Sequence, residues 1–279
     1  MTRLAKFLFA ILISLILGLG YQIGRPISAP LSDKVHLEEL TWVEVRDLVA
    51  QGKTIAIVPT GGTEQNGPHV VLGKHNYIVR FTAGKIAEEL GNALVAPVIS
   101  YVPEGRIEPP EGHMAFPGTI SISEDLFEAV LESAARSLRA HGFKVICFVG
   151  DSGGNQKAQA AIAERLNGIW AGSGVQVIDV SDYYDPWRNG QLQWLADQGE
   201  SAAAIGSHAG IRDTSELMAV YPEGVRDELR APNGGHRFRN TGVIGDPTRA
   251  TSDRGKKLLG LKIDAAVRQI RDQMGDMAS

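Results

Sequence analysis

The chain has 279 residues, 43% hydrophobic and 22% charged, enough to bury a substantial core in one large domain or two small ones. A formal net charge of −4 gives no electrostatic footprint for nucleic acid, so no such partner is expected. The single cysteine, Cys147, excludes an internal disulfide and sits in the apolar run "KVICFV", where it reads as core.

Residues 1–24 have the layout of an export signal. Arg3 and Lys6 precede the uncharged run "FLFAILISLILGLG", and Gly18 and Gly20 are small enough for cleavage before Tyr21. At about 1.5 Å per residue, such a run is short for a ~30 Å hydrocarbon core. A cleaved signal peptide and an uncleaved signal-anchor both fit, and either places the rest of the chain in the periplasm or outside the cell. Any membrane contact is expected only through residues 7–23. Residues 25–36 read as a linker, and 37–279 as one domain.

From residue 37 helices and strands alternate. "LEELTWVEVRDLVAQG" has helical spacing, and "KTIAIVPTGG" reads as a buried strand ending in glycines. A helix is expected from about Asn76 to Leu90, then the strand "ALVAPVIS". Ser123, followed by Glu124 and Asp125, starts a helix that Gly142 ends. "KVICFVGD" is a third strand, "QKAQAAIAERLNGIW" a helix, and "VQVIDV" a fourth strand. Residues 222–250, rich in Pro, Gly and Arg, read as irregular, covering a site or meeting another subunit. The amphipathic stretch "SDRGKKLLGLKIDAAVRQIRDQM" is the last helix.

Buried strands separated by helices imply an α/β fold: three layers, α/β/α, around a mainly parallel sheet. Right-handed crossovers then gather the strand-to-helix loops at the carboxyl edge. Two such loops are glycine-rich and polar, "TGGTEQNGPHVVLGKHN" and "GDSGGNQ".

The letters "GDSGG" also surround the nucleophile of trypsin-like proteases. Those are all-β proteins with an upstream His and Asp, whereas here the motif ends a strand of an α/β pattern, with no "AAHC"-type segment before it. Gly150-Asp151-Ser152-Gly153-Gly154 does match Gly-x-Ser-x-Gly, so a serine hydrolase using Ser152 with a late His208 or His236 stands as a third reading.

More residues fit another pattern. "IVPTGGTEQNGPHVVLGKHN" resembles the signature of the creatininase (creatinine amidohydrolase) family, and four more segments agree in order. "HMAFPGTISIS" resembles its His-x-x-Phe-Pro-Gly-Thr-x-Ser, and "GDSGGNQ" stands where it has Asn-Gly-His-Gly-Gly-Asn. "HAGIRDTSELM" is similar to His-Ala-Gly-Glu-x-Glu-Thr-Ser, and "GVIGDPTRATSDRGKKLL" to the start of its last helix. The resemblance covers about residues 38 to 275. It implies metal-dependent hydrolysis of a non-peptide C–N bond in a cyclic or small amide, with zinc or manganese as cofactor. It also implies a homo-oligomer, since such proteins are often hexamers.

The resemblance makes Glu64 a metal ligand and His208 a proton-transfer residue. It also shows departures: Asn66 and Ser152 stand where ligand histidines belong, His75 where a bridging aspartate belongs, and Gly154 where creatininase itself has a glutamate. Neutral oxygens are weak zinc ligands, so one ion is expected rather than two, held by Glu64, His75, Asp151 and Asp213. Glu64, His208 and Ser152 are the catalytic candidates, and Asn66, His69, His113 and Asn155 are the substrate-binding ones. Plainer readings stand beside these: Asn66 as a turn residue, His69 packed on a backbone carbonyl, Asp151 as a helix cap. Arg212, Arg226, Arg230, Arg237, Arg239 and Arg249 supply late positive charge for an anionic substrate or a solvated surface. A family member that binds a small molecule without turnover is the alternative function.

Overall fold

A computed structural model describes residues 32–232 and 238–275. The expected signal segment and most of the linker lie outside the described residues. Among the described residues no helix is long and apolar enough to cross a membrane.

Four strands, β1 (Ile55–Thr60), β2 (Ala93–Val95), β3 (Val145–Gly150) and β4 (Gln176–Asp179), form one parallel sheet in the order β2-β1-β3-β4. Every residue of β1 and β3 is buried, as a strand covered on both faces requires. Successive side chains alternate between the faces. Ile55, Ile57, Val145, Cys147 and Ile178 pack with α2 (Lys74–Leu90) and α8 (Ser252–Gly275). Val58, Ile146, Phe148 and Val177 pack with α3 (Glu124–Ala140) and α4 (Gln156–Ile169). Two helical layers thus enclose the sheet, the α/β/α arrangement that the alternation of elements implied. A further helix, α1 (Trp42–Ala50), adds Leu48 to the cluster over Ala56 and Leu94. Cys147 is buried in the core, and burial pushes its thiol up, far from a reactive range.

Local signals set the helix starts. Thr41 and Glu44 form a capping box on α1, and the Ser123 hydroxyl accepts from Leu126 N–H at the start of α3. The expected strand over 93–100 pairs regularly only at Ala93–Val95, because the chain then turns to an isolated contact between Ile99 and Thr60. Between β4 and α8 lie α5 (Ser181–Tyr184), α6 (Gln191–Asp197) and α7 (Ile211–Val220), which the sequence pattern did not announce. Residues 222–250 hold only short helical turns in their described part.

One consequence positions the site. Strands β1 and β3 are neighbours in register, with Thr60 opposite Gly150, so their two glycine-rich loops leave the sheet side by side.

Candidate active site

The loop after β1 needs glycine at its start: a Cβ at Gly61 would lie 2.0 Å from Asn76 Oδ1, which accepts the Gly62 N–H at 3.1 Å. The loop then closes on itself through Glu64 N–H to Leu72 O (3.1 Å), and Glu64 is left 2% exposed beneath a cavity of about 490 Å³.

His75, in the first turn of α2, lies between two carboxylates. Its Nε2 is 2.8 Å from Glu64 Oε1 and its Nδ1 is 2.7 Å from Asp151 Oδ2, on the loop after β3. Carboxylates only accept, so both ring nitrogens carry hydrogens and the ring is an imidazolium. Burial and the adjacent Lys74 charge oppose that proton, but the bonds to Asp151 and Glu64 outweigh them and hold the ring at about 9. The chain of charges continues behind Asp151, whose Oδ1 accepts from Tyr183 Oη (2.7 Å) and Lys262 Nζ (2.5 Å). Lys262 also reaches Glu216 Oε2 (3.1 Å), and Glu216 Oε1 accepts from Gln191 Nε2 (2.6 Å). Burial works against the charged form of both Glu64 and Asp151, yet the neighbouring cations hold both below the usual carboxylate range.

On the other side of Glu64 stand two further imidazoles. The segment bearing His113 docks on the β1 loop through Ile120 N–H to Thr63 O (2.9 Å) and Gln65 N–H to Thr119 Oγ1 (3.1 Å). His208 is placed by its backbone pairing with Ile244. His113 Nε2 is 3.1 Å from Glu64 Oε2, and His208 Nδ1 is 3.8 Å from Glu64 Oε1. Gln65 lies behind both rings: its Nε2 amide donates to His113 Nδ1 (3.1 Å), which puts that ring's hydrogen on Nε2 toward Glu64, and the same amide lies 3.2 Å from His208 Nε2. Gly67 N–H donates to Gln65 Oε1 (2.9 Å) and so fixes which way that amide faces. His208 Nε2 donates to the Gln65 carbonyl (3.0 Å), which leaves the Nδ1 lone pair directed inward. Burial lowers both rings, His208 to about 4, so both are neutral at pH 7. Phe238 lies edge-on to both, at centroid distances of 5.5 and 5.6 Å.

One carboxylate and two neutral imidazoles, with all donor atoms within 4.8 Å of one another, suit a divalent ion that displaces the His113 Nε2 hydrogen. Ligand arms of about 2.0–2.1 Å in a tetrahedron put donors roughly 3.3 Å apart, close to the spacings here. The other donors that the resemblance suggests are taken up by protein contacts. Asn66 donates to the Glu64 carbonyl (2.9 Å). Both His75 nitrogens are engaged, and a Cβ at Gly154 would lie 1.9 Å from Pro103 O, leaving no room for a side chain.

The expected ligand set is therefore corrected. Glu64, His75 and Asp151 do converge, but as hydrogen-bonded ion pairs that leave no ring lone pair. Asp213 turns instead to Lys74 Nζ (3.2 Å) and to Ala209 N–H (2.6 Å). There it braces a strained backbone, since Ala209 has φ 51°, a left-handed conformation rare for non-glycine residues, directly beside His208. The Ser152 hydroxyl donates to Glu104 Oε2 (3.3 Å), and no imidazole among the described residues hydrogen-bonds it. The Ser152–His208 pairing is therefore not formed, and His236, the other base considered, lies outside the described residues. Asp151 does not cap a helix, because both its oxygens are engaged.

Three of the four substrate-binding candidates are structural. Asn66, His69 and Asn155 are fully buried and outside the cavity wall. Asn155 ties the two loops together through Thr60 Oγ1 (2.7 Å) and Gly61 O (2.9 Å). His69 packs under α7 against Thr214 Oγ1 (2.9 Å). His113 does line the cavity. Sequence reasoning missed Gln65, Lys74, Glu104, Tyr183, Glu216 and Lys262. Lys262 carried a signal, a charge on the apolar stripe Leu258, Leu259, Ile263, Ala266 of α8. Glu104 carried none. Burial and the Glu64 charge push it up to about 9, so it holds a proton at the cavity wall.

A family model for creatininase, described as creatinine amidohydrolase, matches residues 38–270. A mycofactocin precursor peptide peptidase of Mycolicibacterium smegmatis is 29% identical over 78% of this chain and 84% of its own length. A creatinine amidohydrolase of Pseudomonas putida is 27% identical over 69% of this chain and 74% of its own. Among solved structures, a manganese creatininase superposes with a TM-score of 0.71 at 24% identity, covering 86% of this chain and 98% of that one.

Two outcomes follow from this geometry. Burial, then the Arg230 charge, lowers His69 to about 4, so the fold favours its neutral form. Its contribution to stability is full above pH 6.5 and is lost as pH falls from 6.5 toward 4, by up to about 3 kcal/mol. Chemical denaturation across that range will show a steeper acid loss for the native chain than for His69→Gln; parallel curves would refute the assignment. Gly154→Ala, pressed against the Pro103 carbonyl, is expected to cost about 1–3 kcal/mol by the same measurement.

Proposed function

Since the chain belongs to the creatininase family of metal-dependent amidohydrolases, we propose that it hydrolyses a C–N amide bond of a small substrate seated over Glu64, with one divalent ion rather than two. The observation that carries this reading is the convergence of Glu64, His113 and His208 on one point at the cavity floor. Those three side chains would hold zinc or manganese, which when bound polarises a carbonyl and acidifies a water.

The remaining steps belong to the protein. The Gln65 carbonyl accepts from His208 Nε2, the support that a ligand histidine needs, and its amide holds the His113 ring from behind. His75 and Asp151 keep the Glu64 carboxylate oriented. With His208 Nε2 bonded to the Gln65 carbonyl, the proton-transfer role expected of His208 passes to Glu104, which lines the cavity beside Glu64 and holds a proton for the leaving nitrogen. Phe238 covers the rings and limits water. The same reading takes residues 1–24 as an export signal or membrane anchor, and the working form as an assembly of copies.

Metal analysis of the purified full chain, with a screen of lactams, hydantoins, formamides and short peptides, tests it. About one zinc or manganese per chain is expected, with affinity falling as pH drops toward the lowered range of these rings, about 4 for His208, because loading needs unprotonated imidazoles. His113→Ala and His208→Ala should each weaken binding by at least 10-fold. Glu104→Gln should cut kcat by roughly 10²–10⁴-fold at unchanged KM. Stoichiometric metal with no turnover on any amide would leave only the binding-protein alternative, and no metal at all would remove the proposed centre.

A further inference from the structure

Outside the ion-pair chain through His75 and Lys262, two other cations of the cavity wall share one carboxylate, Asp213, and leave hydrogen-bond donors unused. Lys74 enters from the start of α2. Its side chain is 1% exposed, and its Nζ lies 3.2 Å from Asp213 Oδ2 yet makes no hydrogen bond. That oxygen already accepts the Ala209 N–H at 2.6 Å. An ammonium group removed from water with its hydrogens unmatched is costly, by several kcal/mol where nothing compensates. Arg212 enters from the first turn of α7, and its one hydrogen bond among the described residues is a long one, 3.4 Å to Gln191 Oε1. Most of its five donors remain free. Around Asp213, two cations thus meet a single carboxylate, in the cavity that also holds Glu64, His113 and His208.

We infer that Lys74 and Arg212 form a carboxylate-binding subsite, so that the amide hydrolysed here bears a carboxylate group near the scissile bond. The inference rests on the hydrolase reading for its substrate, but the subsite itself does not depend on turnover. An incoming carboxylate takes up the unspent Lys74 hydrogens and accepts from the guanidinium in the geometry that arginine suits best. It also places the neighbouring amide carbonyl toward the histidines. A neutral amide of the same shape leaves both cations unsatisfied. This is the asymmetry by which a buried polar site rejects a ligand lacking its partner.

The test is calorimetric titration of the full chain with N-acetylglycine and with its neutral isostere, N-acetylglycinamide. Measurements are made after metal removal and again with zinc, so that direct coordination of the carboxylate to an ion cannot account for the result. The acid is expected to bind at least 10-fold more tightly than the amide in both states. Lys74→Met and Arg212→Met should each remove at least 10-fold of the acid's affinity and leave the neutral ligand unaffected. Equal affinity for the two ligands, or tight acid binding only in the zinc form, overturns the proposal. Should Lys74→Met fail to fold with Asp213 left unpaired, Arg212→Met decides: the same loss supports the subsite and no loss refutes it. Selective acid binding without hydrolysis of any amide would sink the hydrolase reading and keep the subsite. Hydrolysis indifferent to a carboxylate would do the reverse.

Discussion

The site depends on one buried cation, the His75 imidazolium held between Glu64 and Asp151. Each carboxylate belongs to the loop after a different strand, and the strands are neighbours, so the clamp exists only because β1 and β3 pair in register. Charges this deep interact strongly and are expensive to leave alone; removing one partner of a buried pair typically costs about 3–5 kcal/mol. The ring therefore fixes both loops and both carboxylates together. Lys262 extends the arrangement to the last helix, so residues some two hundred positions apart share one electrostatic unit.

That unit underlies the proposal of one ion where the family resemblance implies two. A protonated ring and an ammonium group already neutralise Glu64 and Asp151 and hold the two loops together. Where a second ion would need donors, Asn66 is hydrogen-bonded to backbone and Gly154 has a carbonyl against it. What stays open is the opposite side of Glu64, where His113 and His208 arrive on segments that the sheet does not carry.

The sheet and its flanking helices were legible because burial on both faces writes a strong pattern: "IAIVPT" and "VICFVG" could be little else. The placement of Glu64 in a glycine-rich loop at the carboxyl edge was legible for the same reason. His75 and Asp151 were also seen to converge, but their chemistry was misread. Residue type alone does not say whether a histidine between two acids offers a lone pair or carries two protons; the carboxylates on both its nitrogens decide that. His69, Asn66 and Asn155 look like site residues in a motif, yet they hold the loops up from beneath. Glu104 was invisible because nothing in "YVPEGRIEPPEGH" sets one acid apart from its neighbours. Lys262 was visible in principle, as a charge on an apolar stripe, but its partners lie on three other elements.

The same charge arrangement bears on selectivity. Glu64 accepts on one side from the His75 imidazolium and faces His113 and His208 on the other. Asp213 has its Oδ2 on the Ala209 N–H, close to Lys74 without hydrogen-bonding it. It therefore fixes the position of the ammonium group and leaves its hydrogens free. The strained Ala209 peptide lies between these two features, so the brace that aims His208 also sets Lys74. His208 and the Lys74–Asp213 pair are thus held by one short stretch of backbone, so the two sides of the cavity keep a fixed relation.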